Sequence, residues 1–132
     1  MKEDEHVYIF VCFRYNSAIL RKENYKKHEP YHEEIRGPKG LAAIEDTLTN
    51  PDVVTAYSDK NALGQVIKKT EVFYKKLAKR KTIVGKPILD YWKAIIVWNE
   101  YFKQWEVATA FIKSTPPYAM INNRIESVVY KR

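Results

Sequence analysis

Cysteine is almost missing from this sequence. Cys12 stands alone among 132 residues, so no internal disulfide can form and no covalent staple helps the fold. It lies within the apolar residues 7–13, where it reads as a small buried side chain, and a reducing compartment is the default expectation. Glycine is scarce too, and Gly37, Gly40, Gly64 and Gly85 are dispersed singly. No glycine-rich phosphate loop exists, which argues against nucleotide-dependent phosphoryl transfer and dinucleotide chemistry. No apolar run approaches the roughly 20 residues that span a bilayer. The start, Met1-Lys2-Glu3-Asp4-Glu5, is acidic and unlike a secretory leader. A cytoplasmic protein is expected, although a toxin domain delivered into a target cell would read the same way. Metal ligands are few: His28 and His32 are four apart, but Pro30 separates them and no cysteine or third histidine is near. Neither a metal nor a cofactor is expected.

What the chain has in quantity is positive charge and aromatic surface. It carries a formal charge of +7 and a pI near 9.4, which favours an anionic partner such as nucleic acid. The hydrophobic fraction of 45% is too high for a disordered basic tail. Basic charge serving solubility alone is the plainer alternative. The length suits one domain over residues 1–132 with a core of its own.

Residues 7–14 read as a strand, crowded with β-branched and aromatic side chains. Residues 17–28 are polar with sparse apolar positions, which suits a surface helix or an ordered loop, and Pro30 stops any helix. Residues 41–48 form the strongest helical pattern, with Leu41, Ile44 and Leu48 on one face, ended by Asn50-Pro51-Asp52. Strands are expected at 53–57, with an exit turn at 58–65, and at 71–77. The run 91–98 turns back into 105–114 as a hairpin that stops at Pro116-Pro117. Alternation along the second strand places Trp105, Val107, Thr109, Phe111 and Lys113 on one face. The tail 121–132 is read as a short helix or an edge strand. The expected class is α+β, with about four strands in a mostly antiparallel sheet and an N-terminal helical segment packed on one face.

Two constellations carry chemistry. His28 and His32 lie close to Arg21, Lys22, Lys26 and Lys27. Histidine is the residue type best suited to proton transfer near neutral pH, and cations beside it would stabilise a phosphorane formed when RNA's own 2′-hydroxyl attacks. Solvated loop histidines are the plain alternative, and Glu34 is another candidate base. The second constellation is the basic segment 68–86, with Lys68, Lys69, Lys75, Lys76, Lys79, Arg80, Lys81 and Lys86 against the single acid Glu71. It is either a lysine-protected edge strand or a phosphate track in which Tyr74 and the tryptophans, Trp105 among them, stack on bases.

Residues 21–28, the helix end at 48–54, the strand Phe73-Tyr74-Lys75-Lys76 and the run 105–111 together resemble the barnase/EndoU/colicin/RelE-like nuclease superfamily, especially its phage-associated members. The likeness covers residues 16–115. It implies a compact α+β fold with a four-stranded antiparallel sheet and a metal-independent ribonuclease site on the sheet face. By position, His28 matches the histidine after the first helical segment, Lys75 or Lys76 the strand lysine, and Thr109 the hydroxyl residue of the last strand.

The function expected is therefore a toxin- or phage-type endoribonuclease, a metal-independent hydrolase working by general acid-base catalysis. Its catalytic residues would be His28, Lys75 and Thr109. RNA would be bound by Lys26, Lys27, Lys76, Arg80, Lys81, Lys113, Tyr74 and Trp105, and an acidic immunity or antitoxin protein is a possible partner. The rivals are a non-catalytic RNA- or DNA-binding module on the same surface and a protein-interaction domain.

Overall fold

Strand dominates. A computed structural model describes residues 1–81, 87–114 and 127–132. The elements run β1 (Lys2–Glu3), β2 (Val7–Val11), β3 (Ser17–Arg21), α1 (Lys22–His28), α2 (Gly37–Thr49), β4 (Val53–Lys60), β5 (Val66–Lys81), β6 (Pro87–Asn99), β7 (Gln104–Ser114) and β8 (Ser127–Lys131). A 3₁₀ turn at Glu33–Ile35 joins the helices. Among the described residues the eight strands form one sheet in the order β1-β2-β3-β7-β6-β5-β4-β8. Every pairing is antiparallel except β3 with β7, which run parallel.

This overturns the expected four-stranded sheet with a helical N-terminus. Strand β3 accounts for much of the difference. Ala18-Ile19-Leu20 is too short a run to outweigh the polar residues after it, yet it pairs with β2 along five residues and its alanine and leucine are buried. Tertiary burial overrides weak local pattern here. Strand β5 is also longer than expected, at 16 residues, and only its middle, residues 70–74, pairs with both β4 and β6, so its lysines lie on end stretches that pair with one neighbouring strand. The tail supplies β8, an edge strand. Pro116 and Pro117 lie outside the described residues.

Helix α2 covers one face of the sheet. Pro38 starts it, where a missing N–H is harmless. Its Leu41, Ile44 and Leu48 stripe meets Phe10, Leu20, Phe73, Trp92 and Ile96 in the main core. Gly40 sits directly against the Ile35 backbone, and a Cβ there would overlap it. The other face, here called the far face, holds a second buried cluster of Val53, Val72, Tyr74 and Tyr91.

Strand β7 changes face part-way along. Ile96 pairs with Val107 but Ile95 pairs with Thr109, so Ala108 is an extra residue in a β-bulge. Trp105, Val107 and Ala110 therefore belong to the helix-face core. Thr109, Phe111 and Lys113, opposite Ile95, Lys93 and Tyr91, belong to the far face. The expected single face running from Trp105 to Lys113 is split by that bulge.

Glycine to alanine inside a helix ordinarily stabilises by about 1 kcal/mol. Gly40→Ala should do the reverse, lowering stability by roughly 1–3 kcal/mol through overpacking against Ile35. Ile44→Ala, at a position 1% exposed, should remove about 2–5 kcal/mol. Denaturant titration of the two variants checks both values.

Candidate functional site

Beyond its bulge, β7 follows a parallel neighbour whose chain has already turned into α1. The edge of β7 there would be open, and α1 with the following turn closes it. The Asn24 amide donates to the carbonyls of Val107 and Ala108, each at 3.0 Å. Further along, the Ile112 N–H donates to the Glu34 carboxylate at 3.0 Å. Between these two clamps lie both histidines. The His28 carbonyl accepts from the backbone N–H of Tyr31 at 3.0 Å and of His32 at 3.1 Å, a tight turn that continues α1 past its end.

The ring geometry follows from that turn. The His28 and His32 rings stand 6.5 Å apart, and His32 stacks on Phe111 with centroids 5.4 Å apart and planes 20° from parallel. Glu34 Oε1 lies 4.0 Å from His32 Nδ1 while its other oxygen is held by the Ile112 amide. Glu34 is thus better placed to orient His32 electrostatically than to act alone. His28 and Thr109 line the same narrow gap, with Asn24 and Ala110 beside them. The register sends the Thr109 side chain to the far face, whereas Leu20, Ile44, Val107 and Ala110 of the same lining belong to the helix-face core.

Cations complete this region. Lys93 Nζ lies 5.8 Å from the ring centroids of both Phe111 and Tyr74. Lys113 is exposed and stands in register with Tyr91, which in turn pairs with Lys76 on β5. Lys26 and Lys27 are exposed in the last turn of α1, where they oppose the negative end of the helix. Lys93 escapes a reading of the sequence because it sits in the apolar strand of the hairpin. The signal available was one lysine directly across from Phe111.

Other expected residues lie elsewhere. Lys75 points to the helix face, where Nζ donates to the Asn50 carbonyl at 3.1 Å and meets Asp46 at 3.2 Å. It anchors the end of α2 and is not gathered with His28. Tyr74 is fully buried in the second cluster, and Trp105 is 8% exposed within the main core, so neither stands as an open platform on the far face. The side chains of Arg80 and Lys81 lie outside the described residues, although their backbones pair with Ile88 and Pro87. Among the described residues no three of His, Cys, Asp and Glu gather as a metal set. No helix among them is long and apolar enough to cross a membrane.

A second polar centre lies on the helix face. Glu71, 4% exposed, accepts from Arg14 Nε at 2.5 Å and from the Tyr15 hydroxyl. Burying a carboxylate is costly unless it is paired and hydrogen-bonded, and these two side chains meet that demand. Burial, reinforced by the carboxylate, pushes the Tyr15 hydroxyl up to about 12. Tyr15 also stacks on Trp105 with centroids 4.5 Å apart. At the seam with β3, Glu106 takes a bidentate bond from Arg21, at 2.8 and 3.0 Å. That guanidinium holds the Glu106 carboxyl below its ordinary range.

Comparison with known proteins brings no relative to bear on either centre: no family model matches the chain, and no curated protein or solved structure matches it.

The Tyr15 hydroxyl gives a pH test. Its folded value lies above the ordinary phenol value of 10, so its contribution to stability is complete below about pH 10 and is lost as pH rises through about 12. Burial raises Tyr25 as well, so phenolate absorbance should show late-titrating tyrosine, and Tyr15→Phe should remove the part that titrates near pH 12. The same substitution should flatten the loss of stability across that alkaline window.

Proposed function

We propose that the chain is a metal-independent endoribonuclease whose reacting centre lies at the edge of β7, between the α1–α2 turn and the far face of the sheet. One observation carries the reading: two histidine rings stand 6.5 Å apart, and one of them stacks on an aromatic ring that a lysine also faces. Acid-base cleavage of RNA needs two proton-transfer groups and a cation. One imidazole removes the proton of the 2′-hydroxyl, whose oxygen attacks the adjacent phosphorus. The other gives a proton to the departing 5′-oxygen, and a 2′,3′-cyclic phosphate remains. Lys93 and Lys113 face the phosphate, Thr109 orients it, and Glu34 holds His32 in place. Lys26 and Lys27 extend the positive surface along the strand. Of the strand lysines, Lys75 has a structural task at α2, so Lys93 takes the role that resemblance gave to β5.

With excess chelator, purified protein should cleave RNA and leave cyclic phosphate ends, while DNA of the same sequence survives. His28→Ala and His32→Ala should each lower the rate by roughly 10²–10⁴, the range of one general acid or base. Lys93→Ala should slow cleavage and make RNA affinity less sensitive to salt, by about 0.7 in the log-log slope for each phosphate that is no longer neutralised. Lys75→Ala should lower stability by about 0–1 kcal/mol and leave the rate unchanged. Retained binding without cleavage of any RNA would favour a non-catalytic RNA-binding module on the same surface.

A further inference from the structure

A cavity of about 450 Å³ opens on the helix face, away from the β7 edge. Tyr15, Trp98 and Trp105 supply aromatic walls, Glu71 a buried carboxylate, and Lys69 with Ser58 the exposed parts of its lining. The volume falls within the range typical of small-molecule sites, which pair apolar walls with a few fixed polar groups. Here the polar group is held firmly. Glu71 takes Arg14 and Tyr15 as donors, leaving room among its roughly four acceptor positions for one more N–H. The walls are ordered by each other: Trp105 stacks on Tyr15 and meets Trp98 edge-on at 5.5 Å. Trp98 is itself pinned by donating Nε1 to Glu100 at 2.6 Å, and Glu100 is paired with Lys103.

An organic cation would suit an aromatic cage, but charge argues against it. Arg14 and Lys69 outweigh Glu71, and Glu100 is already compensated by Lys103. The combination left is a flat ring with an N–H on its edge and an anionic group attached. We propose that this pocket binds a nucleotide, its base stacked on the aromatic wall with an edge N–H donated to Glu71 and its phosphate at Lys69. The base comes from a free mononucleotide or from an unpaired position of an RNA strand. The pocket lies on the opposite face of the sheet from Thr109 and Phe111, so its occupancy does not depend on the ribonuclease reading.

Tryptophan fluorescence provides the test, using the four ribonucleoside monophosphates, ribose 5-phosphate and a short unstructured oligoribonucleotide. Saturable quenching by at least one monophosphate is expected, with ribose 5-phosphate inert because it has no base. Trp98→Ala should weaken binding by about tenfold or more, the scale of one base-aromatic stack. Lys69→Ala, at an exposed position, should weaken the monophosphate and spare the matching nucleoside. Saturable binding of the oligonucleotide alone, abolished in Trp98→Ala, also supports the site and names the strand as the source. The proposal is overturned if neither a mononucleotide at millimolar concentration nor the oligonucleotide binds, if ribose 5-phosphate binds as tightly as the nucleotides, or if both Trp98→Ala and Lys69→Ala bind as the parent does.

Discussion

The parallel contact between β3 and β7 governs what the rest of the molecule can do. It is short, registered at Ile19 opposite Glu106, and the Arg21–Glu106 bidentate bond locks it from the far face. Its direction matters more than its length. Because β3 runs the same way as β7, the chain leaves β3 heading along the free edge of β7, and α1 lies beside that edge. An antiparallel pairing would have sent α1 off the opposite end of the sheet, and His28 and His32 with it. An unpaired strand edge also invites association with other chains. Asn24 and Glu34 answer that hazard by bonding β7 backbone groups, and the same bonds fix the histidine turn.

The bulge at Ala108 is the second constraint, and it acts through parity. Side chains alternate along a strand, so one extra residue exchanges the faces of everything after it. Without it Thr109, Phe111 and Lys113 would share a face with Trp105 under α2. With it, Trp105 stays with Tyr15 and the buried Glu71, while Phe111 reaches His32 on the other side. One strand thus serves two chemically different places.

Local features were legible in the sequence and distant pairings were not. The Leu41, Ile44, Leu48 stripe, the breaks at Asn50-Pro51 and the hairpin of β6 with β7 each depend on residues close in sequence, and each forms where expected. Strand β3 needed partners at both sides, one of them about 85 positions away, and nothing near Ala18 announces that. The bulge escaped for a similar reason, since Ala108 differs from its neighbours only in what lies across the ladder. Of the candidate site, the histidines were readable as residue types. Lys93 was hidden in an apolar strand, and its value depends on register with Phe111.

Charge illustrates the same limit in energetic terms. The net charge of +7 counts every lysine alike, although the fold assigns them different work. Lys75 spends its charge on Asp46 and on the carbonyl of Asn50, the residue that caps α2, a use that stabilises a helix end and leaves little for a ligand. Its neighbour Lys76 faces the other way because of alternation alone. Arg14 is absorbed in neutralising Glu71, and Arg21 in neutralising Glu106. Exposed cations stand on α1, with Lys26 and Lys27 next to His28, and also on the β4–β5 hairpin, with Lys60, Lys68 and Lys69. Where a polyanion would be drawn therefore depends on local arrangement more than on the total, since the field near a surface is screened within about 10 Å in salt.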